Sequence, residues 1–320
     1  MEKEKEYFAD INWSPKNYTK YGTNRTNSDI IQNSLGKFNL IIPPRSEFFA
    51  TDNSVTINRK TASILRAETS LKKLLYASVK KRLFSDALLV SGGLDSSLLA
   101  KIIIDLGGNV KFVSCGFVGS NDMVSIDILE DALGIKVNRV SITDSSLIMA
   151  IKELKACGLD GYNCIMGVVE LLCVKALKSA GSKNFMTGLG SDELFLGFDV
   201  HRTIARHSIN SFVENKLYYM HAYDLLRLKR IATMEKIDFS LPYLDDKVID
   251  FALCHDTEEE YDAVLDKKML RDVAREAGLP NAIAERKKKA MQYGSGVVEA
   301  LRRIATENHF KNVEGLIRNI

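Results

Sequence analysis

The sequence predicts an α/β protein: a parallel sheet with helices on both faces, preceded by a short β-rich segment and followed by a mainly helical C-terminal part. Three observations carry that expectation. Between about residues 86 and 187, strand-like apolar runs alternate with segments of helical period, and repeated strand–helix units build parallel sheets. One such run, Ala87-Leu88-Leu89-Val90, is unbroken by polar residues, as suits a strand covered on both faces. It stops abruptly at Ser91-Gly92-Gly93-Leu94-Asp95-Ser96-Ser97, a small hydroxyl-rich loop after which an apolar helix pattern restarts.

In chain order, residues 1–67 are polar and rich in Asn and Thr as far as Asn33, then carry Phe38 to Ile42, Pro43-Pro44, Phe48-Phe49 and Val55 to Ile57. The proline pair excludes a helix and Asp52-Asn53 suggests a turn, so two or three short strands at the edge of the main domain are expected. A single domain is expected over 68–320, with a nucleotide-binding core at about 86–200 and a helical part at about 201–320. From Glu68 the spacing of Leu71, Leu74, Leu75, Ser78, Val79 and Leu83 predicts a helix with one buried face, and Lys80-Lys81-Arg82 suits its C-terminal end. Strands follow at 86–91, 110–117, 136–142 and 183–187, with helices at 95–106, around Ile126, Leu129 and Leu133, at 145–156 and at about 165–180. A Cys/Gly/Asn-rich stretch before the last helix reads as loop. Beyond residue 200 the pattern is helical, with an amphipathic helix at Asp266 to Glu276 stopped by Gly278-Leu279-Pro280, and a loop from Glu285 to Gly296. Repeats of this kind make a Rossmann-like sheet.

Composition narrows the function classes. The chain of 320 residues is 46% hydrophobic and 27% charged, which is the balance of a globular protein. A formal net charge of +3 is too small to argue for nucleic acid. The five cysteines form no C-x-x-C pair, so neither a zinc site nor a disulfide framework is indicated and a reducing cytoplasm is expected. The N-terminus is charged, and no run of 18 apolar residues occurs, which supports neither secretion nor membrane spanning. Oligomeric state is not readable.

The chemistry lies in the loop. Glycines let a backbone approach a ligand closely, and the following helix directs unpaired N–H groups at an anion. A Gly-Lys-Ser/Thr ending is missing, and the one Gly-Lys pair, Gly36-Lys37, is followed by Phe38. Serine hydroxyls and main-chain N–H groups would therefore hold a pyrophosphate, and Asp95 makes sense beside phosphates as a metal ligand. A plain strand–turn–helix is the alternative. The carboxyl ends of the strands would bring together Ser91–Ser97, Gly116–Asp122 and Gly188–Glu193. Asp192 would then face Asp95 across a Mg²⁺-pyrophosphate, the alternative being that Asp192 and Glu193 complement a helix dipole. The basic run Arg286-Lys287-Lys288-Lys289 either stays solvated or closes over a polyphosphate.

These residues resemble the synthetase domain of the asparagine synthetases, a family that includes β-lactam synthetases and belongs with the ATP pyrophosphatases. The resemblance runs from about Glu68 to Gly296 through Ser91–Ser97, Gly116–Asp122, Thr187–Gly197, Leu241-Pro242-Tyr243-Leu244-Asp245, Lys267-Lys268-Met269-Leu270-Arg271 and Leu279-Pro280 to Lys288. It implies adenylation of a carboxylate by ATP with Mg²⁺, release of pyrophosphate, and attack of ammonia or an amine on the acyl-adenylate. By position it places Leu89, Ser91, Gly92, Gly93, Leu94, Asp95, Ser96, Cys115, Thr187 and Gly188 on the nucleotide. Asp95 and Asp192 would hold the metal. Lys288, Asp95, Asp192, Glu193, Arg271 and Lys267 would form the catalytic set.

Three departures stand out. Residue 2 is Glu where a glutaminase domain would begin with a nucleophilic cysteine, so ammonia is expected free or from a separate glutaminase subunit. Leu189 occupies the position where asparagine synthetases carry Glu and β-lactam synthetases Tyr. Ser240 or Leu241 stands where the family usually has Arg. Acceptor chemistry of the β-lactam synthetase kind, or a nucleotide-binding module without ligase activity, are the other readings.

Overall fold

The computed structural model describes residues 70–198, 212–213, 216–217, 219–220, 223–254 and 266–320. The expected β-rich segment 1–67 lies outside the described residues. Helix α1 (Leu71–Lys80) opens on Ser70, whose side chain accepts from the Lys73 main chain, and buries the expected stripe of Leu71, Leu74, Leu75, Ser78 and Val79. Its basic end is not merely solvated: Lys81 and Arg82 reach Asp245 at 2.9 and 3.0 Å.

Among the described residues, five strands form one all-parallel sheet in the order β3-β2-β1-β4-β5. They are β1 (Ala87–Leu89), β2 (Lys111–Gly116), β3 (Val137–Ser141), β4 (Asn184–Met186) and β5 (Asp238–Ser240). Leu88 lies opposite both Phe112 of β2 and Met186 of β4, so β1 is central. Strand order reverses there, and such a switch point leaves a crevice beyond the carboxyl ends of β1 and β4.

Helices α2 (Leu94–Asp105), α3 (Asn121–Leu133) and α5 (Gly161–Ser179) pack on the sheet, and α4 (Asp144–Ala156) packs on α5. Helix α2 buries Leu94, Ser96, Ser97, Leu98, Leu99, Ala100, Ile102 and Ile103, leaving little of its circumference to solvent. Helix α5 begins at Gly161, ahead of the expected start, because the Asp160 side chain caps it by accepting from Asn163 N at 2.8 Å. The stretch that reads as Cys/Gly/Asn-rich loop therefore contributes a helical turn.

After a short α6 (Ser191–Leu194), helix α7 (Asp224–Glu235) leads into β5, a strand that the sequence pattern does not reveal. It has three residues, of which only Phe239 is fully buried, too short for any period to show. A 3₁₀ turn at Pro242–Leu244 precedes α8 (Asp246–Cys254), α9 (Lys268–Glu276), α10 (Asn281–Ala284), α11 (Met291–Gly294), α12 (Val297–Glu307) and α13 (Val313–Asn319). Helix α11 lies inside the stretch expected to be loop. Helices α12 and α13 pack on α5, and α12 also meets α4, which brings the end of the described chain back over the sheet.

Candidate nucleotide and metal site

The glycine–serine loop sits where the switch point places it. Gly92 has φ +68°, and a Cβ there would lie 2.6 Å from the Ser125 Cβ, so both conformation and space demand glycine. Gly93 caps α2 without a side chain to satisfy the first-turn N–H groups, which leaves them directed at the crevice. The loop is braced internally: Ser91 N donates to Ser96 Oγ at 3.1 Å. Two buried oxygens, Ser97 Oγ and Asp95 Oδ1, have no partner, and buried polar atoms rarely stay so unless a ligand completes them. Leu94 turns its side chain into the core and offers the site only its main chain.

The two expected metal carboxylates converge. Asp95 Oδ2 and Asp192 Oδ1 each lie 2.6 Å from Lys267 Nζ, which also reaches Ser191 Oγ at 3.1 Å. Lys267 is 4% exposed and sits in a left-handed backbone at φ 55° as the N-cap of α9, a conformation costing a non-glycine residue about 1 kcal/mol or more. Burial opposes its charge, but the two carboxylates hold its pKa above the ordinary lysine value. Lys288 Nζ joins Asp192 Oδ1 at 2.9 Å and stands 4.5 Å above the Phe198 ring. Burial alone would raise the Asp192 carboxyl, yet Lys267 and Lys288 bring it down to about 2. Gly197 completes this wall, since a Cβ there would land on Asp192 and Lys267.

Glu193 is different. It is 6% exposed, its Oε2 has no partner, and burial together with Asp192 and Asp224 pushes it up to about 8. Asp224 belongs to a buried cluster behind the site: Arg227 pairs with Glu170 at 2.8 Å and with Asp224 at 2.9 Å. Tyr243, fully buried, donates from its Oη to the Asp95 carbonyl at 2.9 Å and so fixes the first turn of α2.

The remaining expected residues fall as follows. The register that pairs Leu88 with Met186 puts Leu89 and Thr187 on neighbouring positions at the sheet's carboxyl edge, with Gly188 beside Asp95. Cys115 is buried on β2, and its sulfur meets Cys173 of α5. Arg271 is 1% exposed, and its guanidinium faces inward to Asp266, the Ala284 carbonyl at 2.6 Å and the Arg286 carbonyl at 3.0 Å. Its contacts are those of a residue that shapes the segment carrying Lys288. Leu189 packs against the core. Ser240 accepts from Thr187 N through its carbonyl at 3.2 Å, and Leu241 beside it is buried.

Sequence reasoning did not single out Arg227, Gly197 or the pairing of Asp122 with Arg286 at 3.2 Å. Arg227 lies on α7 among Leu225, Leu228, Ile231 and Ala232, a buried face on which a charged residue carries no apolar signal. Gly197 enters the sequence reading only as the end of the Thr187–Gly197 motif, with no role of its own.

Fold and site define an α/β protein of the ATP pyrophosphatase-like kind. The chain matches the family model "Asparagine synthase" over residues 70–211 and 204–313. Relatives include a putative glutamine-hydrolyzing asparagine synthetase 1 of Methanocaldococcus jannaschii, 27% identical over 292 residues, covering 78% of this chain and 54% of that protein. Asparagine synthetase B (glutamine-hydrolyzing) of Escherichia coli is 24% identical over 265 residues, covering 75% and 48% respectively. A glutamine-hydrolyzing asparagine synthetase 2 of Lotus japonicus is 26% identical over 251 residues, covering 71% and 43%. The chain therefore belongs to the asparagine synthase family. It spans about half the length of the relatives it matches.

Proposed function

We propose that this chain is an ATP-dependent, AMP-forming ligase that adenylates a carboxylate and then forms an amide with ammonia or an amine. The observation that carries the reading is the meeting of Asp95, Asp192, Lys267 and Lys288 at the mouth of the glycine–serine loop. The partnerless Asp95 Oδ1 and the all-oxygen donor pair suit Mg²⁺, which takes one or two carboxylates and completes its shell with phosphate oxygens and water. When bound, the ion would neutralise charge on the departing pyrophosphate.

The chain's own residues supply the rest. Loop N–H groups and serine hydroxyls hold phosphate oxygens, Lys267 bridges both carboxylates and keeps them aligned, and Lys288 stands ready to stabilise charge as amide replaces adenylate. Leu89, Thr187, Gly188 and Cys115 line the strand ends where adenosine would lie. In the first step a carboxylate oxygen attacks the α-phosphorus and pyrophosphate leaves. In the second the amine attacks the acyl carbon, loses a proton, and AMP departs with the transferred oxygen. Ammonia would arrive free or from a separate glutaminase subunit.

ATP–pyrophosphate exchange across a panel of carboxylic acids tests this. Exchange that depends on one acid supports the ligase; nucleotide binding without exchange under any acid refutes it. A second reading, a nucleotide-binding module, rests on Leu189, which can neither accept a proton nor bind an amine. Acid-dependent exchange excludes that reading. An intramolecular amine acceptor, as in β-lactam synthetases, would show as product formation without added ammonia.

A further inference from the structure

Asp122 lies in the first turn of α3, outside the metal and nucleotide set, yet it is 4% exposed. A carboxylate so deeply placed needs a stated partner. The partner is Arg286, whose Nη2 lies 3.2 Å from Asp122 Oδ1 while its Nη1 points towards the Ser91 carbonyl at 3.5 Å. On its other side the carboxylate nests against Gly294 of α11, where a Cβ would collide with it. Arg286 thus touches α3 and the phosphate loop at once.

Arg286 also begins residues 286–290, a stretch with no helix or strand between α10 and α11. Lys288, two residues on, makes the 2.9 Å contact with Asp192. Arg271 Nη1 holds the Arg286 carbonyl from beneath at 3.0 Å, and Arg271 is itself tied to Asp266, the neighbour of Lys267. Two side-chain contacts thus tie the segment to the nucleotide half of the molecule, Lys288 to Asp192 and Arg286 to Asp122, and the second lies outside the metal and nucleotide set.

We propose that the Asp122–Arg286 pair is a latch that closes residues 286–290 over the phosphate loop and makes both residues positioning residues for Lys288. Its effect on rate rests on the ligase reading above; the latch itself does not. The charged groups facing Asp122 are Arg286 and Lys289, which pull its carboxyl down while burial pushes it up, to about 6. The latch is therefore charged and closed above about pH 6 and neutralised below it.

Limited trypsin digestion of the full chain at pH 8 tests the latch, because Lys287, Lys288 and Lys289 are exposed cleavage sites. In Asp122→Asn, cleavage within 287–289 should be about tenfold faster than in the unaltered protein, with cleavage elsewhere unchanged. An unchanged rate, or a rise shared by every site, overturns the latch. Asp122→Glu, which keeps the charge, should restore resistance, and failure of that rescue overturns the charge pairing. In the activity arm, Asp122→Asn should retain acid-dependent pyrophosphate exchange but form amide about tenfold more slowly, and should lose the acid limb near pH 6 that the unaltered enzyme shows in amide formation. Faster cleavage with undiminished amide formation overturns the positioning role. If the unaltered protein exchanges pyrophosphate with no acid, the ligase reading fails, and digestion alone decides the latch.

Discussion

Replacing Arg227 by Met removes a buried cation that pairs with Glu170 and Asp224, and so measures what holds the helical layer behind the site. Arg227 is 1% exposed and forms a two-pronged pair with Glu170, Nε–Oε2 at 2.8 Å and Nη2–Oε1 at 2.9 Å. Its Nη1 lies 2.9 Å from Asp224 and 3.3 Å from Asn163 Oδ1. At an effective dielectric of about 20 a unit pair at such distances attracts by roughly 6 kcal/mol, most of which offsets the desolvation of the ions. Removing one partner loses the attraction but leaves Glu170, 9% exposed, charged and unanswered. Buried pairs broken this way cost about 3–5 kcal/mol. Asp224, with a side chain 28% exposed, regains some water, so about 3 kcal/mol is expected. The assay is urea unfolding, with the midpoint falling and the slope unchanged. Arg227→Met combined with Glu170→Leu should recover at least half the loss, because the stranded charge is gone. A single-variant loss below about 1 kcal/mol, or a double variant no more stable than the single, refutes the reasoning.

The other expectations concern the site itself. Asp95→Asn should abolish pyrophosphate release while unfolding stays cooperative; an undiminished rate removes the metal role from this residue. Lys288→Ala should slow amide formation by about 100-fold and pyrophosphate exchange much less, on the order of one transition-state contact, and equal losses in both steps count against its placement. Gly92→Ala forces a Cβ within 2.6 Å of Ser125 at a positive φ, so a loss of about 2 kcal/mol and weakened nucleotide binding are expected, measured by thermal unfolding with and without ATP. Glu193, pushed up to about 8 mainly by burial, keeps its proton in the folded protein while the unfolded chain ionises near pH 4.5. That raised value makes the native protein lose stability as pH climbs from about 5 to 8. Glu193→Gln should therefore gain on the unaltered protein across that window, by on the order of 2 kcal/mol, and a pH-independent difference would show that the carboxyl is ionised throughout.

Much of this was legible in the residues. Strand β1, its glycine–serine loop and α2 followed from an apolar run, two glycines and a restarted apolar pattern, and the structure sets them at the centre of the sheet. The meeting of Asp95 with Asp192 followed from parallel topology, which gathers every strand's carboxyl end at one edge. What escaped was either too short or too distant. Strand β5 has three residues and no period to display. The phosphate loop lacks its own lysine, and Lys267 reaches Asp95 from 172 positions along the chain, a contact that no local spacing encodes. Among the basic run, Arg286 and Lys288 turned out to be paired with Asp122 and Asp192, a division of labour that four adjacent cations cannot reveal. Helices α2 and α5 bury so much of their surface that hydrophobic spacing marks their presence better than their limits.

The central claim is that the loop site makes an acyl-adenylate, and oxygen tracing tests it most directly. With a carboxylic acid that supports exchange, labelled in both carboxylate oxygens with ¹⁸O, turnover should place one labelled oxygen in AMP, because the carboxylate oxygen that attacks the α-phosphorus leaves with it. AMP free of label, or ADP and phosphate as the products, would contradict the account.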